Sequence, residues 1–461
     1  MKELDGNGYR KFGMLDKISY ASGDFGCNMS FALAGTWFTV FWTQYMKIDS
    51  ITFAAVLILL KVGDMVIAPL FGSYMDRGKE YRLGKFRHFI FFGSFGLAIA
   101  AALCFVPVPE ASEAVKMIIC IVGYLLWDLF YTAVNVPYSS MLSVISSNPG
   151  ERAELGAWRF LGCLSASLPI GMILPLLLYD DDHELMGERL FWTALILGLV
   201  GFCAFMFLVK TTVERVDYRK AEKKEKYNAR RALGDFFHNR AAIGATMIPV
   251  GFFLGMGGAM TATQVMFQSY FHNPALLGAV SLCSMLPSLL VVPFAKPLTE
   301  RFGKKEVSIY GIYISLIACF LMCVVPIPAD GRGVAIFLAL LTLNGLGQGV
   351  ASAFSEAMMA DAIDYNEWKT GKREEGTLYS MNSLSRKLIQ GIGPSLGLVI
   401  MVALGYNEQL GAQQPFEVAL RLRYLVAAFY LVSVLIVYIG ARFVFNLDRK
   451  TVERMNRELG R

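Results

Sequence analysis

Charge is scarce in this chain. Of 461 residues only 17% are Asp, Glu, Lys or Arg, and four are histidine. A soluble domain carries nearer a quarter charged residues, so this shortage, with 55% hydrophobic residues, excludes an ordinary soluble protein. No P-loop, HExxH motif or GxSxG nucleophile in convincing context is present, which removes the common phosphate-, zinc- and serine-based chemistries. The eight cysteines form no CxxC pair and lie in apolar stretches, as buried small hydrophobes do, so neither a metal site nor a disulfide framework is expected. Met1 to Lys17 is polar and charged, without an apolar core or a small-residue cleavage site, and is not expected to be a signal peptide.

What is abundant is long apolar sequence. About 20 predominantly apolar residues span a bilayer core, and a helix satisfies its own backbone there. Twelve such stretches are predicted: 24–46, 51–74, 87–107, 113–145, 157–179, 189–210, 241–269, 276–298, 306–326, 333–362, 376–405 and 418–445. Lys and Arg gather on one side, at Lys2–Lys17, Arg77–Arg87, Arg152, 215–231, Arg301–Lys305, Lys369–Arg373 and Arg449–Arg461. The positive-inside rule makes that side cytoplasmic, with both termini inside. The net charge of +6 is thus a topology signal and needs no nucleic-acid partner.

The longest polar interruption, 211–240, divides the chain into an N-terminal six-helix half (1–210) and a C-terminal one (241–461) and reads as a solvated basic linker. The halves echo each other. "GSYMDRGKEYRLGK" (Gly72–Lys85) follows the second stretch and "KPLTERFGKK" (Lys296–Lys305) the eighth, both placing acid-Arg and then Gly-Lys in a short turn. That pattern resembles the loop signature of the major facilitator superfamily, whose plan is two six-helix halves around a midplane cavity. The expected fold is all-α integral membrane, with twelve transmembrane helices in two pseudo-symmetric six-helix bundles.

Ionisable groups inside spans are costly and mark functional paths. Asp64 lies three residues after Lys61, on the same helical face, so it forms either a local ion pair or part of a cavity wall. The fourth stretch carries Tyr124, Asp128, Tyr131 with Thr132, Asn135, and Tyr138 with Ser139 at steps of three and four. Aromatic faces beside directed hydrogen-bond groups suit a polyhydroxylated ligand, and interhelical hydrogen bonding is the alternative. Asp24, Asn28, Trp37 and Trp42 join from the first stretch, and Trp158-Arg159 opens the fifth. Tyr379, Asn382, Ser383 and Lys387 share a face of the eleventh, with Lys387 about 16 Å from the helix start. A lysine so deep needs a partner, and Asp64 is the expected one, as a coupling pair or as a static tie.

"MADAIDYNEWKTGKREEGTLYS" (Met359–Ser380) resembles the loop between helices ten and eleven of the glycoside–pentoside–hexuronide:cation symporters, the melibiose-carrier family. "KISYASGDFG" (Lys17–Gly26), "DRGKEYRLGKFR" (Asp76–Arg87) and "YTAVNVPYSSM" (Tyr131–Met141) are similar to other segments of that family. The resemblance implies a cation site at Asp64 with Thr132 and Lys387, and sugar contacts at Arg159, Tyr131 and Lys387. It also implies a cytoplasmic gate in which Asp76, Arg77, Asp361, Asp364 and Arg373 form ion pairs across the halves. Departures accompany it. Asn28 and Asn135 stand where melibiose carriers have sugar-binding acids, Ser139 and Ser352 replace tryptophans, and Ala68 and Ile67 replace a second helix-two carboxylate and its neighbouring amide.

The expected protein is therefore a monomeric, multi-pass plasma-membrane (bacterial inner-membrane) symporter working by alternating access. It would carry a sugar, glycoside or uronide with H+ favoured over Na+ as coupling ion and with no other cofactor. Substrate contacts are expected from Asn28, Asp128, Tyr131, Asn135, Arg159, Asn382, Ser383 and Lys387. The rivals are a facilitator-fold carrier of a non-sugar or lipid-like solute, and an integral-membrane enzyme using the Asp180–Glu184 cluster.

Overall fold

The computed structural model describes residues 10–77, 83–146, 148–215, 234, 236–291, 294–371 and 375–459, with side chains 65–70, 72–77, 375–377, 379 and 380 among those not described. It divides into two compact units, Met1–Lys224 and Glu225–Arg461, and the boundary falls inside the 211–240 stretch.

Unit 1 contains α1 (Met14–Val40), continued by a π-turn (Phe41–Tyr45), then α2 (Ser50–Arg77), α3 (Lys85–Leu103), α4 (Glu113–Ile145), α5 (Pro149–Leu178) and α6 (Gly187–Thr211). Unit 2 contains α7 (Arg240–Ser269), α8 (Leu277–Val291), the short α9 (Ala295–Phe302), α10 (Lys304–Val324), α11 (Gly331–Thr370), α12 (Glu375–Ala403), α13 (Phe416–Ile439) with a second π-turn (Gly440–Val444), and the polar α14 (Arg449–Glu458). Eleven of the twelve apolar stretches each fall on one long helix and 276–298 falls on α8 and the start of α9; eight helices among the described residues are long and apolar enough to cross a membrane. Among the described residues of the other helices, α1 and α12 carry interior polar groups that dilute their apolar sequence.

Both units use one packing plan. In unit 1, α1 packs on α5 and α6, α3 on α4 and α6, and α2 on α4. In unit 2, α7 packs on α12 and α13, α10 on α11 and α13, and α8 on α11. The sequence echo has a matching backbone echo. Gly84 precedes α3 with φ 97° and ψ 168°, and Gly303 precedes α10 with φ 96° and ψ 153°. Side-chain-bearing residues rarely adopt that positive φ, so the repeated Gly-Lys is dictated by the turn.

Two boundaries differ from expectation. α1 starts ten residues before the predicted 24, because Asp16 accepts from Gly13 N–H at 3.1 Å and the polar first turns are buried with partners. α11 runs on to Thr370, eight residues past the predicted end at 362 and into the segment read as loop, because Met358, Met359, Ala362, Ile363 and Asn366 continue a buried helical stripe. Gly371, with φ 69°, ends it in a left-handed cap. The beginning of the expected solvated linker is also packed. Arg215 donates to Val144 O from its backbone (2.7 Å) and to Asp16 from its guanidinium (3.0 Å), while Arg10 holds the same carboxylate at 2.6 Å. Asp16 is fully buried, so two arginines and the Gly13 N–H are what make its charge tolerable.

Candidate substrate and cation sites

A polar cluster in unit 1 joins α1, α4 and α5. Gly162 on α5 lies so close to the backbone of Ala21 on α1 that no Cβ would fit there. That close approach lets Arg159, one turn earlier, donate from Nε to Asp24 Oδ1 at 2.9 Å. Asn28, one turn on from Asp24, donates to Asp24 O (2.8 Å) and Oδ2 (3.1 Å) and accepts from Ser167 Oγ at 3.4 Å. On α4, Asn135 Nδ2 reaches Tyr131 Oη at 3.2 Å and Cys27 Sγ at 3.6 Å. The Arg159 guanidinium carbon lies 5.2 Å from the Tyr138 ring centroid, and Tyr138 donates to Tyr20 O at 2.8 Å.

Aromatic faces complete one side of this cluster. Tyr131 stacks between Trp127 (5.3 Å between centroids) and Phe31 (5.5 Å), and Trp127 Nε1 is fixed by Ser30 Oγ at 2.5 Å. Asp24, Asn135 and Arg159 each lie ten residues from a helix end on the basic side, Met14, Ile145 and Pro149 respectively. At 1.5 Å per residue each is about 15 Å along its helix from that end, so the three share one level of the bundle. A neutralised carboxylate, a guanidinium, two amides and ring faces form the donor–acceptor set a sugar ring needs.

The α4 stripe serves two clusters rather than one. Tyr131, Asn135 and Tyr138 face α1 and α5, as described. Tyr124 and Asp128, both buried, also reach α2: Lys61 Nζ lies 5.4 Å from the Tyr124 ring centroid and is in electrostatic range of Asp64 and Asp128, while the other side of Tyr124 packs on Phe38 of α1 at 5.2 Å. Asp128 therefore groups with Lys61 and Asp64, apart from the residues it was expected to join. Thr132, between the two groups, is buried on α4.

In unit 2, Asn382 is buried on α12, with its neighbour Ser383 and, one turn on, Lys387 both half-buried. Asp64 and Lys387, expected to pair, belong to different units. Asp361 was expected to pair across the halves. It is paired inside its own unit, with Lys304 Nζ at 2.6 Å, because α10 begins with that lysine against α11. Asp364, one turn on, is half-buried. Arg373 lies outside the described residues, and Asp76, Arg77 and Tyr379 outside the described side chains.

Other expectations find a place. Trp37 and Trp42 are core residues, and Trp42 Nε1 donates to Cys104 O at 3.0 Å. The acids of Asp180–Glu184 shape a tight turn in which Asp180 accepts from the backbone N–H of Glu184 at 2.8 Å. Sequence reasoning placed Asp24 on the right helix without assigning it a site, and it missed Ser167 and Cys27. Asp24 had a signal, being an acid inside an apolar run one turn before Asn28. Ser167 and Cys27 had none.

A family model described as MFS/sugar transport protein matches residues 19–449. The chain is 29% identical over 455 residues to Uncharacterized symporter YnaJ of Bacillus subtilis (strain 168), covering 98% of this chain and 95% of that protein. It is 29% identical over 406 residues to the isoprimeverose transporter of Lactiplantibacillus pentosus, covering 86% and 82%. Among solved structures, a bacterial homolog of the human lysosomal transporter Spinster, inward-facing and unoccupied, has TM-score 0.62 at 13% identity, over 96% of this chain and 97% of that one. With the family model spanning nearly the whole chain, this protein belongs to the MFS/sugar transport family and is a multi-pass membrane transporter of the sugar type, not an enzyme.

Proposed function

We propose that the chain is a cation-coupled symporter, using H+ in preference to Na+, that carries a sugar, glycoside or uronide by alternating access. The observation that supports it is the Asp24–Arg159 pair with Asn28 and Asn135 at its sides. The Arg159 side chain keeps 35% of its surface exposed, so a solute can reach its remaining N–H groups while Asp24 holds its orientation. Asn28 and Asn135 bond hydroxyls without adding negative charge, which leaves an anionic sugar acceptable. Asn382, Ser383 and Lys387 are assigned solute and cation contacts in unit 2. Two relatives are named a symporter and an isoprimeverose transporter, which favours symport of a glycoside. The basic side is assigned to the cytoplasm, both termini included, in a bacterial inner membrane, and the protein is taken as a monomer.

A thermal-shift screen of the purified protein against sugars, glycosides and uronates, with and without Na+, tests this. The reading expects a stabilising sugar-type ligand whose effect is weakened in Asn135→Ala. Ligands that stabilise wild type and Asn135→Ala equally would remove this cluster from the substrate site.

A further inference from the structure

Asn28 stands where melibiose carriers have an acid, yet this chain has an acid one turn earlier on α1, at Asp24. Asp24 spends its oxygens inside the protein. Oδ1 accepts from Arg159 Nε at 2.9 Å, while Oδ2 and the backbone O accept from Asn28 Nδ2 at 3.1 and 2.8 Å. The Asp24 side chain keeps only 10% of its surface exposed, against 35% for Arg159.

These bonds also fix which way the Asn28 amide points. A backbone carbonyl can only accept, so the amide turns its NH2 to Asp24. Both of its N–H groups are then engaged, and Oδ1 is what remains for a solute, with Ser167 Oγ donating to it at 3.4 Å. Arg159 uses Nε on Asp24, which leaves its terminal nitrogens as donors. The other side chains bonded into the cluster (Asn135, Tyr131, Tyr138 and Ser167) are uncharged near neutral pH. A solute therefore meets guanidinium N–H groups and neutral oxygens, and the carboxylate is the less exposed of the two charged groups.

We propose that Asp24 is a positioning residue that sets the charge selectivity of this site. Placed one turn from the melibiose-carrier position, the acid is neutralised by Arg159 and turns Asn28 into an uncharged acceptor, so the carboxylate of an anionic sugar is admitted beside Arg159. The inference rests on the solute site proposed above and makes it specific.

The test moves the acid back without changing composition, in the swap variant Asp24→Asn/Asn28→Asp. Purified wild type and swap are titrated with methyl β-D-glucoside against methyl β-D-glucuronide, and with methyl β-D-galactoside against methyl β-D-galacturonide. Within each pair only carbon 6 differs, a hydroxymethyl against a carboxylate. Wild type is expected to bind the uronide of at least one pair no more weakly than its neutral partner. The swap should keep that neutral glycoside within about threefold and lose the uronide by about 10-fold or more, because two negative charges then face each other. A merely structural role would weaken both alike. If the swap does not fold, Asn28→Asp alone is titrated with the same expectation. An unchanged uronide-to-glycoside ratio in the folded variant overturns the proposal, as does a wild type that binds the neutral glycosides and rejects the uronides. A wild type that binds none of the four defeats the solute site itself, and the inference with it.

Discussion

Arg159 on α5 donates from Nε to Asp24 Oδ1 on α1 at 2.9 Å, and this bond orients the cluster assigned to the solute. Asp24→Asn leaves a partly buried guanidinium without its counter-charge. The expected loss of stability is about 1–3 kcal/mol, below that of a fully buried pair because Arg159 is 35% exposed. The double variant Asp24→Asn/Arg159→Gln should recover part of that stability and none of the transport. Melting curves for the two single variants and the double variant, set beside uptake, check both statements. Full recovery of uptake in the double variant would make the pair purely structural.

Asn28 and Asn135 flank that pair from α1 and α4. Each is assigned about one hydrogen bond to a substrate hydroxyl, so Asn28→Ala and Asn135→Ala should each weaken substrate affinity by roughly 5- to 30-fold. The check is ligand titration on purified variants whose melting temperature stays within a few degrees of wild type. An unchanged affinity excludes that residue from the site.

The repeated glycines should respond alike. Gly84→Ala and Gly303→Ala force a Cβ into φ of 97° and 96° and against the Glu214 and Glu306 carboxylates. Each is expected to cost about 1–2 kcal/mol. Gly156→Ala, on α5 with open space around it, should be neutral or slightly stabilising. Equal melting temperatures for all three would contradict the backbone echo between the units.

The tail helix gives a pH dependence. Asp448 caps α14, accepting at Oδ1 from Thr451 N–H at 2.9 Å, and this bonding holds its carboxyl below the usual aspartate range. A lowered folded value means the stabilisation is complete above the ordinary value, about 4, and is lost as pH falls through the folded one. Amide protection across 449–458, taken relative to the intrinsic exchange rate at each pH, should therefore fall below about pH 4. Asp448→Ala should show comparable loosening already at pH 7, by about 1 kcal/mol. Identical exchange in the variant and wild type at pH 7 would remove the cap's role.

Much of this was legible in the sequence for physical reasons. Hydrocarbon enforces long apolar helices, so the twelve spans follow from composition, and the paired Gly-Lys turns follow from a backbone only glycine adopts easily. Helix ends were less legible where polar residues are buried with partners, as at Asp16 and along Met359–Thr370. A hydropathy reading counts those side chains as solvent-facing. The stripe on α4 was legible as a stripe. Its division between Asp128, on the side of α2, and Asn135, which meets α1, depends on helix neighbours that no local pattern encodes. The Asp24–Arg159 bond spans 135 positions, and only the close approach at Gly162 creates it.

Substrate-linked proton accumulation in proteoliposomes tests the central claim most directly. With an imposed pH gradient, wild type should concentrate its sugar-type substrate above the equilibrium level. Asp64→Asn should only equilibrate it, with exchange retained. Undiminished concentrative uptake by Asp64→Asn, or wild-type uptake indifferent to the gradient, would contradict the account.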